Sequence, residues 1–245
     1  MAGGARAGEV DGLDAIMSRG GAQLQQIMQR TERHLERVTA HAGAPLAAYA
    51  GATVFPGGKR LRPLLVVLAA QSAGGPAGGP HGLERLVRAA VAVELVHSAT
   101  LVHDDVIDGA ALRRGQPTVA AAAGRKTAVA TGDLLFSRAF AELARNDDAA
   151  QLRALSQASS ALAEGELLQR EDSYATHVPV ERYLHRCELK TAALFEAACR
   201  LGALSAGGPA ELADALGGFA RHIGLAFQML DDVLDVSGPV ERTGK

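Results

Sequence analysis

The chain has 245 residues and a formal net charge of −2, so it lacks the basic excess that binding a phosphate backbone requires, and no nucleic-acid partner is expected. Its two cysteines, Cys187 and Cys199, are too few for a disulfide framework or a four-cysteine zinc site. Met1 to Val10 is Gly/Ala-rich without the apolar run of a secretion signal, and Leu64–Ala70 and Ala89–Val93 are too short to span a bilayer, so a cytoplasmic chain is expected.

Residues 1–12 read as a flexible segment and residues 13–245 as one domain. Ala, Leu, Glu and Arg recur at three-to-four spacing and alternating β-branched runs are scarce, so nearly everything reads as helix. The first expected helix is Leu13–Val38. Gly57-Gly58-Lys59-Arg60-Leu61-Arg62-Pro63 then forms a glycine turn with three cations, where Lys59 and Arg62 could clamp phosphate oxygens; an ordinary basic loop is the bland alternative. This turn leads into a helix over Leu61–Gln71.

After the Gly/Pro break Ser72–Gly82 comes Gly82–Ile107, too apolar for a surface helix and therefore expected in the centre of a bundle. It runs into Asp104-Asp105-Val106-Ile107-Asp108. His97 lies two turns before Asp104 on the same face, which turns a residue type that is usually structural toward the same cavity. Arg113-Arg114 places two more guanidinium groups beside the acids.

Helices over Ala128–Ala144, Asp148–Leu168 and Val180–Leu201 follow. Lys190-Thr191 lies in the last, where it reads either as a solvated pair or as an ammonium and a hydroxyl facing a site. The break Ser205–Pro209 precedes Glu211–Val236, also expected to be central, which carries Asp231-Asp232-Val233-Leu234-Asp235. Gln228 sits three residues before Asp231, where its amide could donate to a phosphate oxygen.

The two DDxxD patterns are the strongest signal. Residues i and i+4 share a helix face and i+1 is adjacent, so each triad is expected to turn three carboxylates toward one point. Such repulsion is relieved by a hard cation, and oxygen ligands without histidine or cysteine indicate Mg²⁺ rather than Zn²⁺.

In order, GGKRLRP (57–63), HSATLVHDDVIDGAALRRG (97–115), GDLLFSRA (132–139), EGELLQ (164–169), KT (190–191) and FQMLDDVLD (227–235) resemble the trans-isoprenyl diphosphate synthase, or polyprenyl synthetase, family. The resemblance implies an all-α fold, a single bundle of long helices around a central cavity, assembled as a homodimer. It implies condensation of isopentenyl diphosphate with an allylic diphosphate, and a prenyl product that can partition to membrane. Lys59, Arg62, His97 and Arg114 would hold isopentenyl diphosphate. Asp104, Asp105, Asp108, Asp231, Asp232 and Asp235 would hold Mg²⁺, up to about three ions, bridging the allylic diphosphate. Arg113, Lys190, Thr191, Gln228 and Lys245 would bind that diphosphate directly.

In the resembled family the residue five places before the first triad governs product length. Here Ala99, with Thr100 next, lies about 7.5 Å along the helix from the acids and would let the chain grow beyond C20. The family pattern continues past Lys245, so the domain is expected to lack the C-terminal part of that fold and to lose stability or activity unless a partner covers the gap. A class I terpene cyclase is disfavoured by the absence of Trp and the few aromatics. A non-catalytic subunit is disfavoured because it would have no physical need for two acid triads.

Overall fold

A computed structural model of the chain describes residues 12–41, 43–55, 58–76 and 78–237; the expected flexible N-terminal segment, Gly57 and Lys245 lie outside these. Helix α5 (Pro80–Ile107) is the centre of the structure. It packs against α2 (Gly21–Ala40), α4 (Leu61–Ser72), α7 (Arg125–Ala144) and α10 (Ala193–Ser205). By length and apolarity alone it could cross a bilayer, but 72% of its most apolar stretch is buried inside the protein, so it serves as a core helix. Leu86, Ala89, Ala90, Val93, Leu95 and Val96 are fully buried along it. Truncating Leu95 to Ala would cost about 2–5 kcal/mol.

The surrounding helices show why the sequence folds this way. In α2 the buried Leu24, Ile27, Thr31, Leu35 and Val38 form one stripe at three-to-four spacing, and the Thr31 hydroxyl is satisfied by donating to the Ile27 carbonyl at 2.9 Å. Helix α8 (Ala149–Glu171) starts at Asp148, whose Oδ1 accepts from the backbone N–H groups of Ala150 and Gln151. Helices α4 and α10 cross so closely that a Cβ on Gly202 would sit 2.1 Å from the Val66 carbonyl oxygen, so only glycine fits there.

The all-helical expectation holds, with local departures. The first expected helix is two, α1 (Gly12–Arg19) and α2, because Gly21 takes a left-handed φ of 68° at the junction. Helix α3 (Ala44–Val54) was not anticipated from its Ala-rich, weakly amphipathic stretch. Leu112–Arg113 (β1) and Gln116–Pro117 (β2) form a short antiparallel hairpin, followed by α6 (Val119–Ala123). The turn between the strands puts both Arg114 (φ 51°) and Gly115 (φ 74°) in the left-handed region, as a two-residue hairpin requires.

The expected helix Val180–Leu201 is interrupted. It consists of α9 (Val180–Cys187), a π-helical turn over Glu188–Ala192, and α10. Helix α11 (Ala210–Ser237) corrects the expectation of a central helix. It packs on α10 and the π turn along one side, where Ala213, Gly217, Ala220 and Gly224 are buried, while Phe219, Ile223, Phe227, Leu230 and Leu234 are exposed on it. Apolar composition does not amount to burial here, because neighbours cover one face only.

Candidate active site

A cavity of about 940 Å³ opens between the start of α4, the second half of α5, α7, α8, the π turn and α11. It gathers residues far apart in sequence: Lys59, Arg62, His97, Thr100, Asp104, Arg113, Arg114, Lys190, Thr191, Gln228 and Asp231 all line it. Much of the remaining wall is hydrocarbon, from Val54, Leu101, Phe136, Leu162, Ala163 and Leu194. Charged groups over an apolar wall suit a ligand with a polar head and a hydrocarbon tail.

The cationic wall begins at Arg60, the residue before α4, whose left-handed φ of 50° starts that helix. Its guanidinium reaches Glu32 at 2.5 and 3.2 Å and the buried Glu94 at 3.0 Å. Burial works against its charge, but these two carboxylates raise its pKa above the ordinary arginine value. With Arg60 so committed, Arg62 is left facing the cavity. Burial lowers Arg62 to about 10, with Glu94 opposing, so it stays charged near neutrality. Its guanidinium carbon lies 5.0 Å from the centre of the Phe195 ring, and its Nε–H is buried without a hydrogen-bond partner among the described residues. An anion would satisfy it.

His97 lies among these arginines. Burial first, then the positive charges of Arg62, Arg114, Arg113 and Arg60, hold its pKa well below the usual histidine value. The imidazole is therefore neutral at physiological pH and has one N–H to donate.

The first triad does not turn three carboxylates to one point, which corrects the expectation. Successive helical residues diverge by about 100°, and the Asp105 side chain turns into the protein, where Arg113 contacts it at 2.8–3.1 Å through Nε and Nη2. Asp105 is only 5% exposed and a buried carboxylate needs such a partner. Asp104 lines the cavity, whereas Asp108 caps α5 and is exposed. Burial pushes the Asp104 carboxyl up to about 6; the negative charges of Glu166 and Asp108 add to this, and Lys190 and Arg113 oppose it.

The second triad is likewise divided. Asp231 lines the cavity, while Asp232 accepts from the Tyr183 hydroxyl at 2.7 Å and from the Gln228 amide at 2.8 Å. Gln228 in turn accepts from Thr191 at 2.5 Å. Asp235 is exposed, and neither Asp232 nor Asp235 lines the cavity. Lys190 reaches Glu166 of α8 at 2.5 Å, and the second Glu166 oxygen is buried without a hydrogen-bond partner among the described residues. The wider π turn presents both Lys190 and Thr191 to the cavity, and Gly165 lets α8 approach it, since a Cβ there would lie 2.8 Å from the Lys190 backbone nitrogen.

Among the described residues no three His, Cys, Asp or Glu side chains form a closed metal cage. An open donor set of Asp104 and Asp231 nonetheless fits magnesium, which takes one or two carboxylates and fills its sphere with water and phosphate oxygens. Ala99 is a further correction: it is fully buried in the core, outside the cavity lining, and Thr100 alone of that pair faces the cavity. Glu32, Glu94, Glu166, Phe136 and Tyr183 escaped the residue-level reading. A charged residue inside an apolar helical run was the available signal for Glu94.

A family model described as "Polyprenyl synthetase" matches residues 44–245. Component 2 of heptaprenyl diphosphate synthase from Geobacillus stearothermophilus is 40% identical over 222 residues, covering 91% of this chain and 68% of that protein. Octaprenyl diphosphate synthase from Escherichia coli strain K12 is 39% identical over 192 residues, covering 78% of this chain and 58% of its own length. Among solved structures, a polyprenyl synthase from Caulobacter crescentus complexed with calcium and isoprenyl diphosphate superposes with a TM-score of 0.86 at 38% identity, covering 99% of this chain and 70% of that one. A decaprenyl diphosphate synthase from Rhodobacter capsulatus gives 0.83 at 35%, covering 90% and 66%. The chain thus spans roughly three fifths to two thirds of the length of these curated relatives.

Proposed function

The chain belongs to the polyprenyl synthetase family, and from that premise we propose that it condenses isopentenyl diphosphate with an allylic diphosphate, head to tail (1'-4), to give an all-trans polyprenyl diphosphate longer than C20. One observation carries the proposal: a single cavity joins an acidic pair, Asp104 and Asp231, to Lys59, Arg62, Arg113, Arg114 and Lys190 above a hydrocarbon wall.

In the proposed reaction the allylic C–O bond breaks, with diphosphate taking the electron pair, and the isopentenyl double bond attacks the cation. A proton is then lost, for which the released diphosphate is an acceptor, so no protein base is assigned. Asp104 and Asp231 would hold Mg²⁺, which neutralises charge on the departing diphosphate when bound. Arg113 is oriented by Asp105 and Lys190 by Glu166, fixing positive charge where leaving-group charge develops. Arg62, Lys59, Arg114 and the neutral His97 would receive isopentenyl diphosphate; Thr191 and Gln228 would hold the allylic partner. Asp105 and Asp232 then act through Arg113, Tyr183 and Gln228 rather than as direct ligands. Leu101, Phe136, Leu162 and Leu194 shield the cation from water.

The small Thr100 supports a product beyond C20, with Phe136 and Phe227 as the bulkiest apolar groups of the wall. Incubation with Mg²⁺, isopentenyl diphosphate and C5 to C20 primers tests this: an isopentenyl-dependent ladder passing C20 is expected. Consumption of the allylic substrate alone would indicate a cyclase, and arrest at C15 or C20 would refute the length. We take the assembly as a homodimer. A second reading comes from the relative named as component 2 of its synthase: the chain would then turn over only with a second component of different sequence, which an assay of the isolated chain distinguishes.

A further inference from the structure

The chain's net charge is −2, yet its arginines are unevenly placed. On α2, Arg30, Arg33 and Arg37 fall at i, i+3 and i+7 and form one stripe. Together with Arg88 from the early turns of α5 and Arg145 just beyond α7, they line a groove of about 680 Å³. Only two carboxylates, Glu36 and Glu84, face them there. A smaller hollow of about 280 Å³ shares His34, Arg37 and Arg145 with the groove and adds Arg138.

The local carboxylates are largely committed. Glu84 pairs with Arg88 at 3.1 Å, and Glu142 with His34 at 2.7 Å and Arg145 at 3.3 Å. Burial opposes the charge of Glu142, but its hydrogen bond from His34 and the nearby Arg145 hold its pKa below the usual carboxylate value. His34 Nδ1 lies 3.0 Å from Arg37 Nη2, so it accepts from Arg37 while Nε2–H donates to Glu142, and this chain aims the Arg37 guanidinium. The Arg88 side chain is only 14% exposed and also lies 3.5 Å from the Asn146 side-chain oxygen, so it too is preset. Leu83 and Val87 provide an apolar floor. At 1.5 Å per residue, Arg88 lies about 24 Å from Asp104 along α5, so the groove is separate from the catalytic cavity.

We propose that the groove between α2, the first turns of α5 and the end of α7 is a second, non-catalytic site for a phosphate-bearing anion. Guanidinium groups converging from three elements offer the forked donors that phosphate oxygens accept. Both a free diphosphate and a phospholipid headgroup present this chemistry. The site does not depend on the proposed reaction.

Two arms test it. Isothermal titration of the metal-free chain with inorganic diphosphate is compared for wild type, Arg33→Gln/Arg37→Gln, and Arg62→Gln as a control for the catalytic cavity. Co-sedimentation with phosphatidylcholine vesicles, with and without phosphatidylglycerol, reads the lipid source. If the anion is free, the double variant loses one binding event or weakens it at least tenfold, while Arg62→Gln keeps it. If it is a headgroup, wild type sediments with the phosphatidylglycerol vesicles alone and the double variant does not. Because Arg33 and Arg37 lie on the exposed face of α2, the double variant is expected to keep its thermal midpoint and prenyl transfer rate. Unchanged binding of the double variant in both arms, or no binding by wild type in either, overturns the proposal.

Discussion

The same five-residue pattern, DDxxD, occurs at the end of α5 and near the end of α11, and the two copies sit in different surroundings. At the first, Asp105 is buried against Arg113, and burial pushes Asp104 up to about 6. At the second, Asp231 and Asp235 are exposed, with Val233 at 59% and Leu234 at 56% exposure, and Asp232 is held by a phenol and an amide. The difference comes from the neighbours: α5 is enclosed by four helices, whereas α11 rests on one side only. An identical motif therefore acquires its electrostatic character from what surrounds it.

The sharpest way to break this contrast is a pair of substitutions. Asp104→Asn is expected to lower the prenyl transfer rate by about 10³-fold and Asp232→Asn by only about tenfold, since the first removes a group facing the reacting centre and the second one that acts through others. Equal losses would show that the two triads are equivalent. Next in size, Arg113→Gln leaves Asp105 buried without its cation and should reduce unfolding free energy by about 3 kcal/mol in denaturant titration.

The raised Asp104 carboxyl has a consequence whose sign can be checked. The native state binds this proton more tightly than the unfolded chain. The stabilisation it brings is fully present below the ordinary carboxyl value of 3.8 and is lost as pH rises through about 6. In metal-free protein, Asp104→Asn should therefore be more stable than wild type at pH 8, by roughly 2 kcal/mol, and no more stable at pH 3. A constant difference across that range would refute the shift. The smallest effect belongs to the second triad: Tyr183→Phe should cost about 1 kcal/mol, read as a lower thermal midpoint, because Asp232 loses one of its two donors.

Much of this was legible in the sequence. Apolar runs located α4, α5 and α11, and the spacing of His97 from Asp104 placed both on one cavity wall. What escaped depends on tertiary neighbours. Nothing local distinguishes Asp104 from Asp105; Arg113, folded back onto the end of α5 from the first strand of the hairpin, does. Tyr183 and Glu166 come from segments whose partners lie 49 and 24 residues away, and no helical period encodes such pairings. Ala99 faces the core rather than the cavity, because spacing along a helix fixes a relative angle but not which face meets the void.

The wide turn at Glu188–Ala192 sets an angular phase between α9 and α10. Removing a single residue there would leave hydropathy and charge nearly unchanged, yet it would close the turn toward regular α-helix, in which successive residues step by about 100°. Lys190 and Thr191 could then no longer share one opening. In this stretch the count of residues matters as much as their identity: substitutions can be absorbed, whereas a one-residue deletion takes an ammonium and a hydroxyl away from the acids they face.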